Sequence, residues 1–233
     1  MNHPGTLKPK FKSVLSQSGL LLPELSTLAS ARKEMASPAR AKDLVLEQNI
    51  LAKPTAQSRQ RIWDKLIARY RIHTTDELFG FWWELIPTSA NNDLAQLATL
   101  RWAQHDLFLR FLWNEIYLPR RSMDATVQSS DLIDYVRDIG AGHPAKVYFF
   151  KCSENVQIRM AQHFLLILRE CGAATGRKNK RFATLPTGEN AVRFAAYLAR
   201  RESPGSHEIL NHWALRWWGG NSSKADEILR EGS

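Results

Sequence analysis

Four side chains able to grip a phosphate recur at spacings of three, four and four: Ser58, Arg61, Lys65 and Arg69. On a helix of 3.6 residues per turn, with Ile62 set at zero, they cluster between about 260° and 340°. Ile62, Trp63, Leu66, Ile67 and Tyr70 fill the next arc, about 140° wide, which is expected to be buried. Lys53 and Thr55 stand just ahead, Thr55 as the N-cap. A helix with one packed face and an adjoining row of donors is what a helix-turn-helix protein lays against a duplex. The planar fork of arginine pairs with phosphate or with guanine. An ordinary solvated basic face has the same pattern, and the spacing alone does not separate the two.

A second group follows a mostly apolar stretch that stops at Gly172. Arg177, Lys178, Lys180 and Arg181 lie in a basic run, and a further helix begins near Thr187. On that helix Arg193 and Arg200 are seven apart and share a face, while Val192, Ala195, Ala196 and Ala199 form the packed side. Helix, basic hairpin-like loop and helix suggest a winged-helix-like arrangement. A lysine-rich surface loop is the plainer alternative.

Catalytic patterns are poor by comparison. His207-Glu208 is followed by His212 at a spacing of five, whereas two zinc ligands on one helix face need four. Asp131, Asp134 and Asp138 share a face; a solvated face explains them better than a metal. Gly140-Ala141-Gly142 lacks the lysine of a phosphate loop, and no GxSxG nucleophile motif occurs. Cys152 and Cys171 form no CxxC and read as structural thiols in a reducing compartment. The expectation is a protein that is not an enzyme and uses no cofactor or metal.

The charge is segregated. The net charge is +9, and residues 1–73, 74–150, 151–203 and 204–233 carry +8, −4, +6 and −1. Two basic segments around an acidic one make a plausible footprint for a polyanion. The N-terminus has no apolar stretch of secretory type, and the longest apolar runs fall far short of the ~20 residues of a membrane span. A soluble, cytoplasmic protein is expected. Its eight tryptophans and ten phenylalanines fall within helical apolar patterns and read as core more than as a base-stacking platform.

The elements that must position these groups are helical almost throughout. Helices are expected from Pro23 to Met35, Pro38 to Gln48, Thr55 to Ile72 and Leu78 to Ile86, the last behind a Thr74–Glu77 capping box. A long central helix runs from Asn91 to Leu118, and residues 119–130 read as a polar loop. A short helix spans Asp131 to Asp138, Val147 to Phe150 suggests a brief strand, and a helix capped by Ser153 reaches Cys171. Phe182 to Leu185 is extended. Further helices are expected at 188–201, 205–218 and 222–231. The fold class is all-α with helix-turn-helix and winged-helix-like elements. It divides into a flexible basic arm (1–17), a helix-turn-helix-like region (18–73), a central helical region (74–150) and a winged-helix-like C-terminal region (151–233).

Several stretches resemble the BrxA family of bacteriophage-exclusion (BREX) systems. They are Ser18-Gly19-Leu20-Leu21-Leu22-Pro23-Glu24; Val45-Leu46-Glu47-Gln48-Asn49-Ile50-Leu51 followed by Thr55, Ser58, Arg61 and Ile62; Leu100 to Glu115; and Phe164 to Gly172 with its basic loop. The resemblance covers about Ser18 to Arg201. It implies an all-helical bacterial phage-defence protein with helix-turn-helix elements beside positive surface, double-stranded DNA as ligand and other BREX components as possible partners. An RNA-binding helical factor of the antitermination type and a protein adaptor are the alternatives.

Overall fold

A computed structural model describes residues 11–31, 38–74, 76–123, 125–203, 209 and 211–218. The expected helix at 222–231, His207-Glu208 and the first ten residues of the basic arm lie outside these.

Helix α5 (Asn91–His105) is the axis of the molecule: every residue from Leu94 to Ala103 is buried. A helix apolar on most of its circumference must be covered on all sides. Its cover comes from α1 (Leu22–Ser30), α3 (Ala56–Tyr70), α9 (Glu154–Glu170) and α10 (Glu189–Glu202). Helix α2 (Pro38–Leu46) packs on α3, and α4 (Glu77–Leu85) packs on α10.

Two polar side chains on α5 organise its neighbours. Asp93 accepts from the Asn190 and Ala191 amides and so caps α10. Gln96, fully buried, donates to the carbonyls of Cys171 (2.9 Å) and Pro186 (2.8 Å) and accepts from the Gly188 amide (3.1 Å).

The expected 91–118 helix is broken. At Asp106 the backbone turns extended (φ −114°, ψ 92°), and its carboxylate accepts from the Phe108 and Leu109 amides, starting α6 (Leu107–Phe111). An N-capping aspartate without a proline or glycine marks this break. The chain continues as a π-helical turn, Leu112–Tyr117, and a 3₁₀ turn, Leu118–Arg120.

Three further expectations are corrected. Val147 to Phe150 is helical: Pro144 opens α8 (Pro144–Lys151) and the His143 ring accepts from the Ala145 amide. Asp76, not Thr74, caps α4, and Glu77 reaches across to Tyr197 and Arg201 of α10. The 119–130 loop contains a strand, β1 (Thr126–Val127), ahead of α7 (Ser129–Asp138).

β1 joins β2 (Ala174–Thr175) and β3 (Lys180–Phe182) in a small antiparallel sheet of order β1-β3-β2, with Thr126 and Thr175 both opposite Arg181. The rest of the described fold is helical, as expected.

The tryptophan-rich stretch near the C-terminus is core. Trp217 is fully buried and stacks on Trp113 with ring centroids 4.0 Å apart. Trp213 lies over the Arg110 guanidinium at 3.9 Å, and Glu202 accepts from the Trp213 indole and pairs with the His212 ring. Both cysteines are free thiols. Among the described residues no helix is long and apolar enough to cross a membrane, and no group of three acidic, histidine or cysteine side chains could hold a metal.

Candidate nucleic-acid interface

Helix α3 starts as its sequence dictates. Thr55 Oγ1 accepts from the Ser58 amide (3.1 Å), and Ser58 Oγ accepts from the Thr55 amide (3.2 Å) while donating to the Thr55 carbonyl. Both hydroxyls are therefore engaged in building the helix end. Lys53 is fixed by the Asn49 side chain, which bonds its amide and carbonyl, and its ammonium pairs with Glu24 at 2.8 Å.

The rest of the basic stripe splits in two. Arg61 is exposed and Lys65 half-buried. Partial burial, and then the neighbouring Arg69 and Arg61 charges, hold the Lys65 ammonium below the usual lysine value. Arg69 is fully buried. It donates to the Ser18 carbonyl (3.0 Å) and hydroxyl (2.7 Å), and its guanidinium lies 4.6 Å from the centre of the Trp102 ring. The packed arc of α3 extends past Ile62 to Arg69 because residues from Ser13 to Leu20 cover it. Tyr70 beside it bonds the Leu20 carbonyl. Trp63, Leu66 and Tyr70 are buried as the wheel predicts, whereas Ile62 and Ile67 are half-buried.

The covering segment is the C-terminal end of the expected flexible arm, and from Phe11 onward it is packed. The Ser13 amide bonds the Tyr148 hydroxyl, and its hydroxyl bonds Asp106 at 2.6 Å. The Leu15 carbonyl meets the His163 ring of α9 at 2.7 Å. A Cβ on Gly19 would lie 3.1 Å from Leu166 of α9. One extended stretch of backbone thus lies between α3 and α9.

Helix α9 carries a polar row that sequence reasoning passed over as the surface of a structural helix. Asn155, Arg159 and Gln162 are exposed, and His163 and Arg169 half-buried. The signal was present: 155, 159, 162 and 169 fall on one face of a helix. Burial, with the Arg69, Lys65 and Arg159 charges added, keeps the His163 imidazole below its ordinary pKa.

The basic run after Gly172 is a hairpin. β2 and β3 pair antiparallel, with Arg177 and Lys178 exposed at the tip, Lys180 half-buried and Arg181 exposed on β3. Burial, followed by the nearby Arg169 charge, lowers the Lys180 pKa. Gly176 closes the tip with φ +84°, and a Cβ there would lie 2.1 Å from the Asn179 carbonyl oxygen. Only glycine fits such a left-handed, crowded position. Gly176→Ala should lower stability by about 1 kcal/mol or more, read as a lower denaturation midpoint; an unchanged midpoint would show that the tip relaxes freely.

The Arg193 and Arg200 pair lies elsewhere. Arg193 is exposed and Arg200 half-buried, on the α10 face that holds Tyr197. That ring stacks on Phe81 of α4 at 4.4 Å, so the pair flanks α4 while the hairpin extends from α9.

No curated protein matches the chain. The BrxA family model matches residues 9–189, from the packed end of the arm through α9 and the hairpin to the first residue of α10. A match over more than three quarters of the chain establishes that it belongs to the BrxA family and is a BREX-associated protein.

Proposed function

We propose that the protein is a non-catalytic, double-stranded DNA-binding accessory component of a BREX phage-defence system, acting in the cytoplasm alongside other BREX proteins. The observation that carries this reading is the hairpin. The basic run that follows α9 folds as two antiparallel strands with Arg177 and Lys178 exposed at the tip and a third strand supplied from ahead of α7. A helix followed by such a cationic hairpin is the arrangement of a winged helix, whose wing rests on the phosphate backbone. Phosphate contacts of this kind position a protein on a duplex without reading its sequence.

The test is a salt titration of binding to duplex DNA. Wild type is expected to bind with an affinity that falls steeply with salt. Arg177→Ala with Lys178→Ala should reduce the slope of log affinity against log salt by about 0.9 for each phosphate no longer neutralised. Absence of binding at low salt would leave the adaptor reading standing, and a preference for single-stranded RNA over duplex in competition would favour the antitermination-type reading. Turnover of DNA or nucleotide that follows the protein through purification would overturn the non-catalytic part.

A further inference from the structure

The two basic segments are far apart in sequence, and the fold closes the gap between them. Residues 13–20 bond to both flanking helices. Ser18 and Leu20 are held by Arg69 and Tyr70 of α3, and Leu15 is held by His163 of α9. Gly19 passes so close to α9 that any side chain there would press on Leu166. α3 and α9 are thus separated by the width of a single extended segment, and their exposed cations border it from both sides.

The electrostatic neighbours agree with this geometry. His163 on α9 feels Lys65 from α3 and Arg159 from its own helix. Lys180 on the hairpin feels Arg169. A cationic path therefore runs from Arg61 and Lys65, across the segment to His163 and Arg159, and along α9 to Arg169 and Lys180. The acids beside it are offset. Glu24 is paired with Lys53. Burial raises the pKa of the Glu170 carboxyl, and one of its oxygens is buried without a partner. At 1.5 Å per residue, α3 and α9 are each about 25 Å long, against one duplex charge per ~1.7 Å of axis.

We infer that α3 and α9, seamed by residues 13–20, form one continuous anion-binding surface on which a single duplex is held by both basic segments at once. This rests on the DNA-binding reading above and adds Arg159 and Arg169 to the residues that meet phosphate. It predicts coupling in a way that two separate patches do not.

The experiment uses the full chain and a duplex of about 16 base pairs, ~54 Å long at 3.4 Å per base pair. Stoichiometry and salt slope are measured for wild type, Arg61→Ala/Lys65→Ala, Arg159→Ala/Arg169→Ala, and the quadruple variant. Glutamine versions of each pair, which keep the aliphatic packing, are measured alongside, and thermal denaturation checks that every variant is folded. One duplex per protein is expected throughout. Each pair should take about 1.8 from the slope and the quadruple variant about 3.6, at ~0.9 per neutralised phosphate.

Two duplexes per wild-type protein, one abolished by each pair, would overturn the single surface while leaving DNA binding intact. A full effect from one pair and none from the other would overturn it as well. Wild type that fails to bind any duplex at low salt would instead remove the reading on which it rests.

Discussion

Trp217→Ala is expected to lower stability by about 3–5 kcal/mol, the range for a large aromatic side chain removed from a packed core. Trp217 is fully buried, stacked on Trp113 at 4.0 Å with the planes 12° apart and edge-on to Trp213 at 6.1 Å. Trp113 stands in the π-helical turn at the centre of the chain, so the loss would propagate inward. For a protein of this size the melting temperature should fall by roughly 10 °C. Trp217→Phe, which retains a stacking ring, should recover part of the loss. A drop near zero for alanine would show that the 215–218 turn is peripheral to folding. The family match stops at residue 189, and most of α10 and this turn follow it. The part of the chain beyond the matched region therefore completes the core that the matched region begins.

Gln96→Ala is expected to cost about 3 kcal/mol or more. The amide makes three hydrogen bonds in full burial: to the Cys171 carbonyl ahead of β2, to the Pro186 carbonyl beyond β3 and to the Gly188 amide at the start of α10. Alanine leaves two acceptors and one donor without partners, and each buried polar group so stranded costs about 1–3 kcal/mol. Gln96→Met, which fills the volume but bonds nothing, should be nearly as damaging; recovery by methionine would mean that packing, not polar satisfaction, sets the effect. Because Gln96 ties down both ends of the hairpin segment, amide exchange across Ala174–Phe182 should quicken in the alanine variant before the rest of the molecule opens.

Much of the helical frame was legible because its signals are local. Thr55 caps α3, proline opens α1, α2 and α8, and Trp63, Leu66 and Tyr70 repeat at helical spacing. What escaped depends on distant chain. Arg69 lies at the edge of a wheel arc, and only the arrival of residues 13–20 decides that it is buried. Glu77 fits a local capping box, yet a tyrosine and an arginine 120 and 124 residues away claim it. The hairpin read as a loop because strands of two and three residues leave almost no alternation to detect. The α3 and α9 rows each follow from periodicity, but their adjacency does not, since it is made by a segment that belongs to neither helix.

The π-helical turn at Leu112–Tyr117 bears on how this chain tolerates change in length. A π turn holds about one residue more than the α turn it replaces, so it behaves as an inserted residue retained within a helix. Here the insertion is put to use: Trp113 receives Trp217, and the Tyr117 hydroxyl donates to the Ala183 carbonyl just beyond β3. Deleting one residue between 112 and 117 would restore the regular α spacing. Everything after it would then be rotated by about 100°, the angle per residue of an α-helix, carrying β1 away from β3 and the hairpin off its anchor. Single-residue deletions should therefore be borne far worse here than substitutions, even though the segment looks in sequence like uninterrupted helix.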